Sequence, residues 1–148
     1  MDMRLATKSD YPTLIDIWER SVRATHDFLS ERDIEELRPL ILGSYFDAVE
    51  LTSAVTATGR IVGFCGVQGG NIEMLFIDPD ARGQGVGRLL VQRATTTQGA
   101  TKVDVNEQNP QALGFYEHLG FEVVGRSPLD GQGKPYPLLH MVLRVGLN

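Results

Sequence analysis

Three apolar runs follow one another between residues 49 and 77: "VELTSAVTA" (49–57), "RIVGFCGV" (60–67) and "IEMLFI" (72–77). Only "TG" (58–59) and "QGGN" (68–71) separate them. Runs of this length, rich in Val, Ile and Phe and bounded by Gly and Asn, read as strands. Gaps this short turn the chain straight back, so the spacing predicts three antiparallel strands in a row. Asp78-Pro79 ends the last one.

The flanks alternate between short strands and helices. "MRLAT" (3–7) reads as a strand. Ser9 or Asp10 caps a helix that tolerates Pro12 in its first turn, and Leu14, Ile15, Ile17, Trp18 and Val22 recur at helical spacing. The pattern breaks around "ATHDFLS" (24–30). "SERD" (30–33) has the form of a capping box, and Ile34, Leu37 and Ile41 make the next stripe, which Pro39 is expected to kink or end. Further on, Val86, Leu89, Leu90, Arg93 and Ala94 keep helical register and Gly99 is the stop. "TKVDV" (101–105) is a strand, and Asn109-Pro110 opens a helix with Ala112, Phe115, Tyr116 and Leu119 on one face. "FEVVGR" (121–126) and "LLHMVLRV" (138–145) are strands on either side of the loop "SPLDGQGKPYP" (127–137). The order is β-α-α-β-β-β-α-β-α-β-β. The unit from 72 to 105 is expected to be a right-handed parallel crossover. The rest is mostly antiparallel, so the expectation is an α/β fold with a mixed sheet and helices on both faces. There is no repeat or linker, and one domain over 1–148 is expected.

Composition narrows the function classes. The net charge is -5, whereas a general nucleic-acid binder should be basic. The single cysteine, Cys65, cannot form an internal disulfide, and no Cys/His cluster has zinc spacing. The opening "MDMRLATKSD" lacks an apolar signal region, and no stretch nears the roughly 18 apolar residues of a membrane span. The expectation is a soluble, cytoplasmic protein with no membrane, nucleic-acid or metal partner. A Cys-His-Asp nucleophile is a conceivable use of Cys65, but it lies mid-strand between Phe64 and Gly66 and reads as a buried core thiol.

The stretch "DPDARGQGVGRLL" (78–90) carries the chemistry. A P-loop requires Gly-x-x-x-x-Gly-Lys-Ser/Thr, but the sixth position from Gly83 is Arg88. A dinucleotide fingerprint, Gly-x-Gly-x-x-Gly, fails at Arg88 and, counted from Gly85, at Leu90. What remains is a glycine loop opening a helix. Without Cβ atoms its backbone N–H groups can approach an anion. The helix start adds unpaired N–H groups and a positive dipole end, and Arg82 and Arg88 add charge and forked donors. Such a nest suits a diphosphate.

A strand followed by Arg82-Gly83-Gln84-Gly85-Val86-Gly87 and a helix resembles the acyl-CoA pyrophosphate loop of the GNAT acetyltransferases. "VNEQNPQALGFYEHLGF" (105–121) resembles that family's second motif, and the derived element order is the family's order. "ATHDFL", "LFIDP", "VNEQN" and "GKPYPLL" look most like the bacterial YjaB-type subgroup.

The resemblance implies transfer of acetyl from acetyl-CoA to an amine, directly and in a ternary complex. It implies strands that splay apart after Ile77 and Val105 with the pantetheine arm between them. Backbone near Phe76 and Ile77, with Asn106 and Asn109, would contact that arm, and Arg82 to Arg88 would hold the diphosphate. Tyr116 would protonate the leaving thiolate. A lysine-type amine, pKa about 10.4, is neutral in only about 1 molecule in 2,500 at pH 7, so a base, relay or desolvating pocket must help. Glu73 is the base candidate, as the only carboxylate inside "IEMLFI", where burial would raise its pKa. His26 and Phe28, beside Asp27, fall where the family borders its acceptor cleft, and Tyr136 and His140 are further acceptor-site candidates. The acceptor is a small-molecule amine or a protein lysine. A homodimer stays open, since many relatives dimerise. The competing reading is a non-catalytic acyl-CoA sensor on the same fold, against which Tyr116 and the Arg82–Gly87 loop argue.

Overall fold

The three-strand meander is present, and a fourth strand extends it. The computed structural model describes residues 1–25 and 28–144; these fall into two compact units, divided between Ala100 and Thr101. In the first unit β1 (Asp2–Leu5), β2 (Glu50–Val55), β3 (Ile61–Gln68) and β4 (Asn71–Ile77) pair antiparallel in sequence order. Met3 faces Ala54, Thr52 faces Cys65 and Phe64 faces Phe76 across the ladders.

Strand alternation sorts the helices onto the two faces of this sheet. Phe64, fully buried, enters the cluster formed by Leu14, Ile15, Ile17, Trp18 and Val22 of α1 (Tyr11–Thr25). Its ring meets Phe46 edge-on at 5.7 Å and Phe76 at 5.7 Å. Gly63, one residue earlier and so on the opposite face, stands against Val86 of α3 (Val86–Thr97). Each fully buried Leu, Ile or Phe side chain contributes about 1.5–3 kcal/mol, so this α1–sheet cluster is the main source of the unit's stability.

The helix starts refine the expected ones. Thr7, not Ser9 or Asp10, begins the first helical stretch. Its N–H donates to Asp10 Oδ2 at 2.9 Å, and a 3-10 turn, Lys8–Asp10, leads into α1. The capping box at Ser30 forms as expected: Asp33 N–H donates to Ser30 Oγ and Ser30 N–H to Asp33 Oδ2, both at 3.1 Å. It opens α2 (Glu31–Leu40). Pro39 does not stop the chain's helical course: it lies inside α2, and a π turn, Ile41–Tyr45, continues the helical path. Proline removes an N–H and crowds the carbonyl four residues back, and a wider turn immediately after it accommodates both defects. Arg23 forks onto both oxygens of Glu31 at 2.7 Å, and Arg38 reaches Glu19 and Asp16 at 2.8 Å each, which ties α1 to α2. In α3 the buried stripe is Val86, Leu90, Val91 and Ala94. Leu89, expected in the stripe, is exposed, because the inward face drifts toward Val91 over the helix's second turn.

The second unit holds β5 (Lys102–Asn106), α4 (Pro110–His118), β6 (Phe121–Ser127) and β7 (Leu138–Leu143). β7 lies between the other two strands and is antiparallel to both, with Met141 opposite Val103 on one side and Val123 on the other. Tyr116 of α4 is buried and meets Phe121 edge-on at 5.5 Å. The element order is the one read from the sequence. Among the described residues no helix is long and apolar enough to cross a membrane.

Candidate active site

The glycine loop begins from an anchored strand end. Asp78, 1% exposed, closes β4 and caps the 3-10 turn Pro79–Ala81 by accepting the Asp80 N–H at 3.0 Å. Its other oxygen receives Arg20 at 2.9 Å and Arg60 at 3.1 Å. Burial alone would raise the Asp78 pKa, but the Asp80 N–H and the two guanidinium groups outweigh it and hold the carboxyl below its usual range. The charge of Asp78 is therefore spent on these partners and does not oppose anion binding by the loop. Beside it an open cleft of about 380 Å³ is lined by Arg20, Arg23, Ala24, Asp78, Pro79 and Asp80.

The chain then runs through Arg82, Gly83, Gln84 and Gly85, all exposed, into α3. Gly83 and Gly85 have φ of +74° and +78°, and a Cβ at either would find no atom within 4 Å. Glycine is thus required by backbone conformation and not by crowding. Gly85 caps α3 without a side chain, so the first N–H groups of the helix keep their donor capacity. Among the described residues Arg82 and Arg88 join no ion pair and both are exposed. Positive-φ glycines, an uncapped helix start and two uncommitted arginines form a donor set that fits a diphosphate. Gln84 lies in the same turn, Val86 is buried beneath it, and Gly87 is in the first turn of α3.

On β4, Phe76 packs into the α1 cluster, and Ile77 reaches the α3 side, where a Cβ on Gly63 would lie 2.9 Å from its Cδ1. Glu73 is exposed, so the burial on which its candidacy as a base rested is absent. Glu73 is the extra residue of a β-bulge: Met74 pairs with Gly66 and Ile72 with the next residue, Val67, which leaves Glu73 outside the ladder between them. Cys65 is fully buried, and burial pushes its thiol up to about 12, which removes it as a nucleophile.

In the second unit, Asn106 accepts the Gln108 N–H on its side-chain oxygen at 2.9 Å. Asn109 caps α4 by accepting the Ala112 N–H at 3.1 Å, the helix start that Asn109-Pro110 announces in the sequence. Tyr116 is held between Phe115 at 5.0 Å and Phe121 at 5.5 Å, both edge-on. Tyr136 is half-buried in the loop before β7. His140 engages both ring nitrogens: Nδ1 lies 2.6 Å from Asp104 Oδ1 and Nε2 lies 2.6 Å from Ser127 Oγ. Sequence reasoning selected His140 but missed both partners. The available signal was alternation, which puts Asp104 opposite His140 once β5 and β7 are paired. Phe28 is half-buried in the turn before α2, while His26 and Asp27 lie outside the described residues. Among those residues no group of His, Cys, Asp and Glu could hold a metal ion.

Residues 49–123 match the family model described as the acetyltransferase (GNAT) domain. The chain is 46% identical over 142 residues to the peptidyl-lysine N-acetyltransferase YjaB of Salmonella typhimurium, covering 96% of this chain and 97% of that protein. It is 45% identical over 141 residues to the protein of the same name from Escherichia coli, with 95% of each covered. The solution structure of apo-form YjaB from Escherichia coli is similar at TM-score 0.86 and 44% identity, covering 98% of this chain and 97% of that one. The PaiA N-acetyltransferase from Thermoplasma acidophilum, solved in complex with coenzyme A, shares the fold at TM-score 0.72 and 19% identity, covering 97% of this chain and all of that one.

Proposed function

The chain belongs to the GNAT family of N-acetyltransferases, which use acetyl-CoA, and from that premise we propose that it moves acetyl from acetyl-CoA directly onto a lysine side chain of a protein acceptor. The observation that carries the acceptor class is the 45–46% identity, over nearly the whole chain, to two proteins named peptidyl-lysine N-acetyltransferases. Acetyl-CoA supplies an activated thioester. The loop from Arg82 to Arg88 binds its diphosphate through backbone N–H groups and two guanidinium groups. Asn106, whose side-chain oxygen is engaged by Gln108, donates its amide N–H toward the pantetheine arm, as does backbone at Phe76 and Ile77. Asn109 holds the start of α4 in place. Tyr116 gives a proton to the departing thiolate, and its aromatic packing limits where the hydroxyl can point. The buried, poorly ionising Cys65 supports direct transfer without an acyl-enzyme.

The test is thiol release from acetyl-CoA with lysine peptides, polyamines and small amines, read together with mass spectrometry of the peptide. Acetyl-lysine formation is expected. Faster turnover of polyamines or small amines than of every lysine peptide would overturn the acceptor assignment. Tight acetyl-CoA binding with no thiol release for any amine would favour the sensor reading.

A further inference from the structure

We infer that Asp104, His140 and Ser127 form a proton relay that deprotonates the acceptor amine, with Ser127 Oγ as the group that meets it; the inference rests on the acetyl transfer proposed above. The three side chains come from three adjacent strands of one sheet. Asp104 on β5 is directly opposite His140 on β7, and His140 is opposite Gly125 on β6. Ser127 is two residues beyond Gly125 and so on the same face. Gly125 lies beside the imidazole: a Cβ there would be in ordinary contact with it, 3.5 Å from Cδ2.

Chemistry orders the hydrogen bonds. An ionised Asp104 only accepts, so His140 Nδ1 carries the proton at 2.6 Å. In the neutral ring Nε2 is then a lone pair, and it accepts the Ser127 O–H at 2.6 Å. The hydroxyl oxygen is left with lone pairs to accept from an ammonium group. In the transfer an amine N–H bond breaks and its proton joins Ser127 Oγ, as the proton of Ser127 passes to Nε2. The products are a neutral amine, an unchanged serine and an imidazolium paired with Asp104. His140 and Asp104 have side chains 36% and 43% exposed, so the proton returns to water through them. The other charges on this face are Lys102, in the row next to Asp104, and Glu122, which pairs with Arg144 at 2.7 Å; Arg126 and Glu107 neutralise each other nearby.

The same geometry activates a serine for nucleophilic attack elsewhere, but the surroundings differ. A serine nucleophile uses the N–H of the following residue to hold the oxyanion, and here that residue is Pro128, which has none. The position favours the amine instead. Leu138 is paired with Asn106 on one side and Ser127 on the other, so the hydroxyl is level with the proposed pantetheine contact, two strand spacings or about 10 Å away.

The experiment measures kcat and KM against pH, from 6 to 10.5, for wild type, Ser127→Ala, Ser127→Thr and Asp104→Asn with a lysine peptide. Ser127→Ala is expected to lower kcat about 100-fold near pH 7, leave the KM for acetyl-CoA unchanged and lose its deficit as the pH nears the amine's pKa of about 10.4. An acceptor amine with pKa near 7 should erase the difference at neutral pH. Ser127→Thr should restore most of the rate, and Asp104→Asn should fall between. A deficit equal at every pH and for both amines would mean a structural role and overturn the relay. So would a pH-dependent loss in Glu73→Gln with none in Ser127→Ala, or an acetyl adduct on Ser127 formed without acceptor. If wild type acetylates only small amines, the lysine assignment fails and the same series, run with that amine, still decides the relay.

Discussion

Asp78 is a buried carboxylate that anchors the start of the glycine loop, and the exposure of its partners dictates an unequal response to mutation. Its side chain is 1% exposed, whereas Arg20 and Arg60 are 49% and 56% exposed. At 2.9 and 3.1 Å each pair has a gross attraction of about 5–6 kcal/mol at an effective dielectric near 20, most of it offset by desolvation of the carboxylate. Asp78→Asn frees two arginines that return to water and keeps an oxygen for the Asp80 N–H, so the loss should be about 1–2 kcal/mol. Arg20→Met with Arg60→Met strands a buried charge and should cost about 3–5 kcal/mol. Adding Asp78→Asn to that double variant should restore part of the loss. Urea unfolding at pH 7 measures all three. The pH dependence has a definite sign. The native Asp78 pKa lies below its unfolded value of about 3.9, so its contribution is complete above about pH 4 and lost as pH falls through the lower native value. In the double variant only the Asp80 N–H still opposes burial, so the native pKa should rise and the loss of stability on acidification should shrink. An Asp78→Asn loss equal to or larger than that of the double arginine variant would refute this account of the anchor.

Gly85→Ala forces a residue with a Cβ into the left-handed region at a cost of about 1–2 kcal/mol with no clash to add. Calorimetric titration should therefore show acetyl-CoA binding weakened about 5- to 30-fold; an unchanged affinity would separate this conformation from cofactor binding. Arg82→Ala should weaken acetyl-CoA binding more at low salt than at high salt, because an exposed charge is screened, and equal losses at both would count against a charge contact. Tyr116→Phe keeps the ring contacts with Phe115 and Phe121, so turnover should fall while acetyl-CoA affinity holds; unchanged turnover would remove the phenol from the reaction. Cys65 should resist alkylation at pH 8 until the protein unfolds, and rapid labelling of the native protein would contradict its burial.

Local signals carried most of the fold into view. The meander, the capping box at Ser30 and the Gly99 stop depend on residues a few positions apart, and each appears where expected. The turn of the glycine loop and the helix start that follows it were legible for the same reason, since both depend on the backbone of a short segment. Pairings over longer separations were not legible. Asp78 finds Arg60 18 residues back, and Asp104 finds His140 36 residues on. Only the strand register brings such pairs together, and composition contains no trace of it. Glu73 shows the opposite failure: lying within an apolar run suggested burial, whereas a bulge in β4 pushes this one residue out between the buried Ile72 and Met74.

Gly63 has a consequence of its own. A methyl group there would lie 2.9 Å from Ile77 Cδ1, 3.2 Å from the Phe76 carbonyl oxygen and 3.2 Å from Val86 Cγ1. It therefore acts as a spacer of zero thickness between β3, the last residues of β4 and the first residue of α3. Any side chain at this position would wedge those elements apart and shift the glycine loop from behind, without a single atom of the wedge entering the loop itself.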